Sequence, residues 1–506
     1  MGKCFVFMLC LFPALMLGAA GQRGDYTGKC SCTALSQCPS SLKEEGSMDC
    51  TSSQARCYYV DAETGTVDGD GSVTHPFFAL EAVTRLSFNP GDSILLAGGQ
   101  TFSGTLHIRK FAGTAEHPLY ISSFGKGKAV IDAGKGSALL VDSSRYVLIR
   151  NIEVRGDGRL KGNDGSGIDI KYSTDIQVDS VEASGFLWNG VGTFGGADIR
   201  LTRIYAHDNG FNGIEVSGPW SHKEVHRVYV GYCVAENNPG NPKIKDNHSG
   251  SGILIAHSTG VQVEYCEAMN NGWDMPRIGN GPVGIWAFEC DSLTIQYCFS
   301  HDNKTAPGAR DGGGFDFDGG VTNSVMRYNL SMNNEGAGYG LFQFGGASDW
   351  TNNFIHHNVS INDGRKNSQA GFFIWCDPYN KSVPLRNSYI CSNIVLSCYG
   401  HAVSFETGYA RNLLFEKNVF VLTGSAGRHT GGNKVNSYLG GDRTKRNKEV
   451  TFNRNVYWSS VAEKEGIPQR AIKRDQTASI EKRVFDIPVQ VEVVQIKELM
   501  DSFFHP

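Results

Sequence analysis

One short sequence pattern recurs along the middle of this 506-residue chain at nearly constant spacing. Its cores read YAHDN, YCVAENN, YCEAMNN, YCFSHDN, YNLSMNN and HNVSIND between Tyr205 and Asp363. One column of the pattern, with intervals of 33, 32, 31 and 29 residues, holds Cys233, Cys266, Cys298, Asn329 and Asn358. A period of this length indicates a solenoid, in which each unit buries its apolar face only against its neighbours.

The segments between these cores indicate strands. They contain short apolar stretches with a period of two, such as Gly252-Ile-Leu-Ile255 and Gly371-Phe-Phe-Ile374. Gly, Asn and Asp separate these stretches, and no amphipathic helix fits inside a unit. The Asn-Asn pairs at equivalent positions predict left-handed turn residues that stack as a ladder of amides. The cysteines of the repeated column are predicted to point inward and pack as small buried groups.

The pattern resembles the right-handed parallel β-helix of the pectin-lyase-like superfamily, over roughly residues 58–430. The start fits as well, with Tyr58-Tyr-Val-Asp61 as a first strand, residues 76–86 as a capping helix and Gly91-Asp-Ser-Ile-Leu-Leu96 as the next strand. The resemblance implies an all-β, single-stranded right-handed parallel β-helix with an N-terminal capping helix. The superfamily holds lyases, hydrolases, esterases, epimerases and noncatalytic binding proteins, so it specifies architecture rather than activity.

The two ends of the chain differ from the repeat. Residues 1–20 fit a secretory signal peptide, with Lys3, an apolar run at 5–17 and small residues before a cleavage site. Residues 21–57 are predicted to be a disulfide-stapled segment because they hold Cys30, Cys32, Cys38, Cys50 and Cys57. Residues 58–458 are the predicted β-helix, and 459–506 a C-terminal cap or tail. The mature protein is predicted to be secreted and extracellular.

Composition restricts the partners. The formal charge of −4 provides no basic patch for nucleic acid. No segment after the signal is long and apolar enough for a membrane helix. The predicted partner is a polysaccharide or another glycan. Among the N-x-Ser/Thr sequons, Asn329 and Asn358 are predicted to be buried, whereas Asn247, Asn303 and Asn380 are predicted to lie in turns or loops that can carry glycans.

The candidate catalytic residues lie in Asp311-Gly-Gly-Gly-Phe-Asp-Phe-Asp318. If Phe315 and Phe317 face the interior, Asp316 and Asp318 face outward on the same side, and Asp311 reaches the same patch from the preceding turn. Two outward carboxylates two residues apart on a strand are separated by about 6 to 7 Å. That value lies between the separations of retaining and inverting glycosidases and permits either outcome.

Aromatic and acidic residues surround this patch when the strands are aligned by their leading glycines. The alignment places Trp286 beside Asp316 and Phe288 beside Asp318. The predicted substrate-binding residues are Glu215, Trp286, Phe288, Glu289, Phe373 and Trp375. Exposed aromatics around paired acids are costly unless a ligand stacks on them, and sugar rings stack well. The alternative is that long loops, such as residues 270–282, cover these aromatics as a satellite core.

The acid-rich segment is also similar to the strand entry of several β-helical glycoside hydrolase families, including the lacto-N-biosidase type. In those families, paired aspartates seven residues apart act as acid/base and nucleophile. The resemblance implies that Asp311 is the acid/base and Asp318 the nucleophile, with no cofactor and no metal.

Two other functions stay open. A calcium-dependent polysaccharide lyase or epimerase would act on uronates, with Arg310, Lys304 or Arg277 as base. Its calcium ligands would be Asp311, Asp316, Asp318 and Glu289. A noncatalytic extracellular or matrix protein would use the aromatic stripe only to bind glycans.

Overall fold

Strands of each coil pair in parallel with the equivalent strands of the next coil. The computed structural model describes residues 55–459, except for 221–222, 367–368, 378–382, 398–400, 407–408, 423–438 and 442–448. All pairings between the strands described are parallel, as in Ile253 with Ile285 and Ile285 with Phe315. The predicted all-β solenoid of parallel strands is confirmed.

In the part of the chain that the structure describes, the strands form two sheets, one of 24 strands and one of 13. The larger sheet has 24 strands: Cys57–Val60, Ser93–Ala97, Leu106–Arg109, Leu119–Phe124, Leu139–Asp142, Arg145–Arg150, Ile168–Asp179, Val191–Thr202, Asn212–Ser217, Val225–Gly231, Ser251–Glu264, Val283–Asp291, Thr294–Gln296, Gly313–Phe317, Val325–Arg327, Tyr339–Gln343, Trp350–Thr351, Phe354–His356, Ala370–Cys376, Leu385–Cys391, His401–Phe405, Arg411–Glu416, Leu439–Gly441 and Val450–Asn453. The second has 13 strands: Thr101–Ser103, Ala129–Gly134, Ile152–Gly156, Glu182–Ser184, Tyr205–His207, Val234–Glu236, Glu267–Met269, Phe299–His301, Leu330–Met332, Val359–Ile361, Ile394–Ser397, Val419–Leu422 and Val456–Ser459.

Apolar side chains fill the interior of the coils. Phe315 lies between Ile285 and Tyr339 in the strand register, and Tyr339 lies beside Phe372. The ring centroids of Phe315 and Tyr339 are 5.3 Å apart, and those of Tyr339 and Phe372 are 5.2 Å apart. All four of these side chains are buried. A packed interior leaves only the outer surface of the coils for ligands.

A ladder of side chains joins the ends of successive coils. Its members are buried and one coil apart: Asn209, Asn238, Asn271, Asn303, Asn334 and Asp363. The backbone N–H and Nδ2 of Asn238 donate to Oδ1 of Asn271, at 3.0 and 2.9 Å. The residue before each member has a positive φ, for example 50° at Asn237 and 55° at Asn270. The predicted amide ladder is confirmed, but the left-handed residue precedes each stacked side chain and is not the stacked residue itself.

A second ladder runs through the repeated cysteine column. Cys233, Cys266 and Cys298 are buried. The backbone N–H of Cys298 donates to Oδ1 of Asn329 at 2.9 Å, and the backbone N–H of Asn329 donates to Oδ1 of Asn358 at 3.1 Å. The cysteine thiols bond backbone carbonyls and are free of disulfides. The cysteines therefore pack as small buried groups, as predicted.

One predicted glycosylation site is wrong, because its asparagine belongs to the first ladder. Asn303, predicted to be an accessible sequon, is fully buried. Its Nδ2 donates to Ala268, Ser300 and Asn334, because the sequon coincides with a ladder position. Asn329 and Asn358 are buried as predicted. Asn247 is exposed, and the sequon at 380 lies outside the described residues.

The two ends are described only in part. One α-helix, Leu80–Thr84, lies inside the stretch 76–86 that was predicted to be helical, and it buries Leu80 and Val83. Its role as a cap stays a prediction. The predicted signal peptide, most of the cysteine-rich segment and the tail after 459 lie outside the described residues. Among the described residues, no helix is long and apolar enough to cross a membrane.

The ladder gives a direct stability test. Asn271→Ala removes the oxygen that accepts both donors of Asn238 and should reduce the free energy of unfolding by about 2 to 4 kcal/mol. Urea unfolding followed by circular dichroism measures the change. The matched control is the neighbouring Asn270→Gly, which keeps the left-handed turn at φ 55° and should have a much smaller effect. Equal losses in both variants would contradict a stabilising ladder.

Candidate active site

The candidate aspartates project from the outer side of one strand. In Gly313–Phe317, the side chains of Phe315 and Phe317 belong to the interior cluster. Asp316 and Asp318 therefore point away from the interior, because alternate residues of a strand face opposite sides. Asp316 pairs with Trp286 on one neighbouring strand, as predicted, and with Gly340 on the other.

Loops enclose this outer face and form a cavity of about 850 Å³. The cavity wall includes seven of the nine predicted site residues: Glu215, Trp286, Phe288, Asp311, Asp318, Phe373 and Trp375. The loops contribute further wall residues that the repeat pattern did not indicate, including Trp220, His248, Arg277, Ile278, Arg310 and Phe344. These seven predicted residues are brought together in a cavity that is partly open to solvent.

The prediction that Trp286 and Phe288 are exposed for stacking on sugars is wrong. Trp286 and Phe288 are only 3% and 9% exposed. They pack with Leu254, Ala256 and Val283 in a small outer cluster. Nε1 of Trp286 also donates to Oγ of Ser251 at 3.0 Å. These two rings are thus fixed as the cavity floor by a cluster that contains no residue of the loop 270–282.

The aromatics at the other side of the aspartates differ in exposure. Phe373 is 8% exposed, so it was also wrongly predicted to be exposed, whereas Trp375 is half-buried. Trp220 is 76% exposed at the cavity and contacts the rings of His257 and Phe288. Trp220 and Trp375 are the cavity tryptophans with surface left for a ligand.

Asp318 is buried in the cavity wall. It is 7% exposed, and its Oδ1 accepts the backbone N–H of Gly319 at 2.7 Å. Burial raises the pKa of Asp318 to about 7, and the charges of Asp311 and Glu289 act in the same direction. A side chain on the outer face of the coils is therefore buried here instead of solvent-exposed. A carboxyl group with this pKa changes its protonation state in the neutral range.

Asp311 lies in the turn before the strand, at a left-handed φ of 63°. It is half-buried. Its two oxygens accept the backbone N–H of Gly281 at 2.6 Å and Nε2 of Gln369 at 2.9 Å. Burial raises the pKa of Asp311 in spite of these hydrogen bonds and the nearby Arg310. Two donors on two different loops hold this carboxyl group in one orientation.

Asp316 has a different environment from the other two aspartates. It is 3% exposed, it does not line the cavity, and its Oδ1 has no hydrogen-bond partner among the described residues. Burial raises the pKa of Asp316 well above its ordinary value, and the neighbouring Asp318 adds to the shift. Asp316 is thus buried next to the cavity wall, where its surroundings favour the protonated form of the carboxyl group.

Glu289 was predicted to bind substrate, but it lies outside the cavity wall. It is 8% exposed, and its Oε1 accepts the backbone N–H of Ser348 at 2.8 Å. Gly320 leaves the room for this carboxyl group, because a Cβ there would lie 2.5 Å from it. Glu289 therefore anchors the loop that follows Phe344, a wall residue.

The described residues contain no group of three or more His, Cys, Asp or Glu side chains placed to hold a metal ion. Calcium binding by Asp311, Asp316, Asp318 and Glu289 stays a hypothesis.

Comparison with known proteins supports the fold. Residues 128–274 match the family model described as right handed beta helix region. Two crystal structures of a GH136 lacto-N-biosidase from Eubacterium ramulus, native and selenomethionine derivative, are 18% identical to the chain with TM-scores of 0.56 and 0.55. They cover 79% of this chain, which matches 68% and 67% of theirs. The fold is a parallel β-helix. The resemblance stated from sequence is confirmed.

A curated relative carries the same name. The chain is 23% identical to a lacto-N-biosidase of Bifidobacterium longum subsp. longum, over 85% of this chain. The match spans 32% of the relative's length, so about two thirds of that protein has no counterpart in the alignment.

The pKa of Asp318 predicts how stability depends on pH. The native state binds this proton more tightly than the unfolded chain, whose carboxyl has the ordinary value of 3.8. The stabilisation that comes from binding this proton is present in full below pH 3.8 and is lost as the pH rises through about 7. It amounts to about 1.4 kcal/mol for each unit by which the pKa is raised. Asp318→Asn should therefore melt at a higher temperature than the wild type at about pH 8, and the difference should shrink at about pH 4.

The matched control is Asp198→Asn, which is expected to change stability at high pH in the opposite direction. Arg227 donates to Asp198 and lowers its pKa, so Asp198→Asn should reduce stability at high pH. Thermal melting at both pH values measures the two effects. If Asp318→Asn also melts lower than the wild type at high pH, its carboxyl is not destabilised by burial.

Proposed function

We propose that the chain is a secreted glycoside hydrolase, with Asp311 as acid/base and Asp318 as nucleophile. The observation that carries this proposal is the pair of carboxyl groups, both with raised pKa, in the wall of one cavity. Hydrolysis of a glycosidic bond requires one carboxyl group that is protonated and one that is ionised. Perturbed carboxyl groups in a cavity of this size are typical of active sites.

The proposed reaction needs Asp311 protonated and Asp318 ionised, although burial raises the pKa of both groups. Asp311 would donate its proton to the glycosidic oxygen, and its raised pKa favours the protonated form. Ionised Asp318 would attack the anomeric carbon and form a covalent glycosyl intermediate. Asp311, now ionised, would then take a proton from the water that hydrolyses this intermediate. Asp316 is the carboxyl group behind the wall and contacts neither reacting atom in this scheme.

The charge of the cavity favours an uncharged glycan. Five carboxyl groups line it, compared with the two guanidinium groups of Arg277 and Arg310. Arg310 pairs with Glu406, with 3.7 Å between Nη1 and Oε1. A uronate would bring further negative charge to this wall, which is unfavourable. The names of the lacto-N-biosidase relatives support the same class, so lacto-N-biosides are the first substrates to test.

Substitution of the two aspartates tests the proposal. Asp311→Asn and Asp318→Asn should each lower the rate of glycan cleavage by at least about a hundredfold, because the isosteric amide cannot transfer the proton or attack. The assay is digestion of a panel of neutral and acidic oligosaccharides, including p-nitrophenyl lacto-N-bioside, with product masses read by mass spectrometry. Asp175→Asn is the matched control, since Asp175 lies at a left-handed turn outside the cavity wall.

The product masses separate the alternatives. Addition of water to the products supports the hydrolase. Unsaturated uronate products that require calcium would contradict it in favour of the lyase. Binding of glycans without cleavage by the wild type would favour a noncatalytic glycan-binding protein.

Secretion is part of the proposal and has its own test. The N-terminal signal should direct export and be cleaved after Ala20 or Gly21. N-terminal sequencing of protein recovered from the medium of a secreting host measures the cleavage site. Lys3→Glu, which removes the positive end, should lower the exported fraction, whereas the conservative Lys3→Arg should not. Accumulation of uncleaved protein inside the cell in all three forms would contradict export.

A further inference from the structure

The cavity extends well beyond the proposed catalytic pair. In the strand register Glu215 lies beside Leu254, Leu254 beside Trp286, and Trp286 beside Asp316. Three strand spacings therefore separate Glu215 from Asp316, or about 14 Å. This distance exceeds the length of one pyranose ring. Glu215 is thus three strand spacings away from the strand that precedes Asp318.

Glu215 is held in place by two amides. Nδ2 of Asn189 and Nδ2 of Asn212 donate to the same oxygen, Oε2, at 2.8 and 3.0 Å. Ser217 is a further hydrogen-bond partner of this carboxyl group, and burial raises the pKa of Glu215. The amide oxygens of Asn189 and Asn212 are buried and have no partner among the described residues. Buried polar atoms without partners are costly unless a ligand or solvent satisfies them.

His248 is a second polar group at this end of the cavity. It is 8% exposed, and its buried Nδ1 has no partner among the described residues. The imidazole packs edge-on against Trp286, with centroids 4.9 Å apart, and against Phe211 at 5.2 Å. Burial and the charge of Arg277 lower the pKa of His248 to about 4, so the ring is neutral at physiological pH.

Contacts of Phe211 and Asn212 show that His248 and Glu215 lie at the same end of the cavity. Phe211 contacts the ring of His248, and the next residue, Asn212, bonds the carboxyl group of Glu215. Both Glu215 and His248 line the cavity. A carboxyl group fixed in orientation and a neutral imidazole nitrogen can both form hydrogen bonds with the hydroxyl groups of a sugar.

We propose that Glu215 and His248 form a hydroxyl-binding site for an uncharged sugar unit of the substrate, remote from the cleaved bond; this rests on the proposed glycan substrate. The charges at this end oppose an anionic ligand. Asp246 also lines the cavity, and Arg277 faces both Asp246 and Asp311, so its charge is already countered. A neutral histidine supplies no compensating positive charge.

Binding without cleavage tests this site. Fluorescently labelled Asp318→Asn protein is applied to a printed panel of neutral and acidic oligosaccharides, and the neutral glycan bound most tightly is used to measure Kd. In this background, Glu215→Gln and His248→Phe should each weaken binding by about tenfold, as expected for one lost hydrogen bond. His248→Phe keeps a ring against Phe211 and Trp286 but removes the nitrogen.

Conservative and distant variants are the controls. His248→Asn keeps a polar atom near the position of Nδ1 and should retain most of the affinity that His248→Phe loses. Glu153→Gln and His226→Asn make matched changes away from the cavity and should leave Kd unchanged. A loss caused by misfolding would appear in His248→Asn as well and in the melting temperature.

The outcomes distinguish this site from the proposed reaction. Preference for acidic glycans, absence of any bound glycan, or unchanged affinity in Glu215→Gln and His248→Phe would overturn the site. If the wild type cleaves glycans and these variants bind with unchanged affinity, the proposed hydrolysis is supported and the hydroxyl-binding site is rejected. Weakened binding in the variants, with no cleavage of any glycan by the wild type, would support the site and reject hydrolysis.

Discussion

The hydrogen bond from one coil to the amide of the next is the interaction on which the rest of the structure depends. The side-chain oxygen of each ladder asparagine accepts two hydrogen bonds from the previous coil, one from a backbone N–H and one from a side-chain amide. Oδ1 of Asn271, for example, accepts both from Asn238. The amide of Asn271 then donates forward to Asn303 and back to the carbonyl of Ala235. Buried polar groups with every bond made fix the register of the coils. With the register fixed, residues far apart in sequence recur as neighbours across the sheet.

The candidate site follows from that register and from the loops that lie over it. The strands alone place Asp316 and Asp318 on an outer face beside Trp286. The loops turn this face into a cavity by burying the aromatic floor and by supplying Gly281 and Gln369 as donors to Asp311. The same burial raises the pKa of the aspartates. The chemistry therefore belongs to the combination of a rigid sheet with an enclosing layer of loops.

The repeat in the sequence correctly predicts the strand register and which residues face the interior. It does not predict the features that depend on the loops. The strand register of Trp286 with Asp316 and the inward cysteines are correct because the repeat carries them directly. The exposure of Phe288 and the role of Glu289 are wrong, because both depend on chain segments that cross from other coils, such as the loop at Ser348. His248 gives no signal in the sequence, since it lies between repeats and becomes important only by contact with Trp286.

The ladder fixes the end of each coil but not the length of chain between two ends. Successive members of the first ladder from Asn238 to Asp363 are separated by 33, 32, 31 and 29 residues, yet the hydrogen bonds between them are nearly identical. A coil can therefore gain or lose residues in its loop without disturbing the stack. Loop length and loop sequence are free to diverge on the face that holds the cavity, while the scaffold beneath stays constant. One backbone framework of this kind can acquire pockets of different shape through insertions alone.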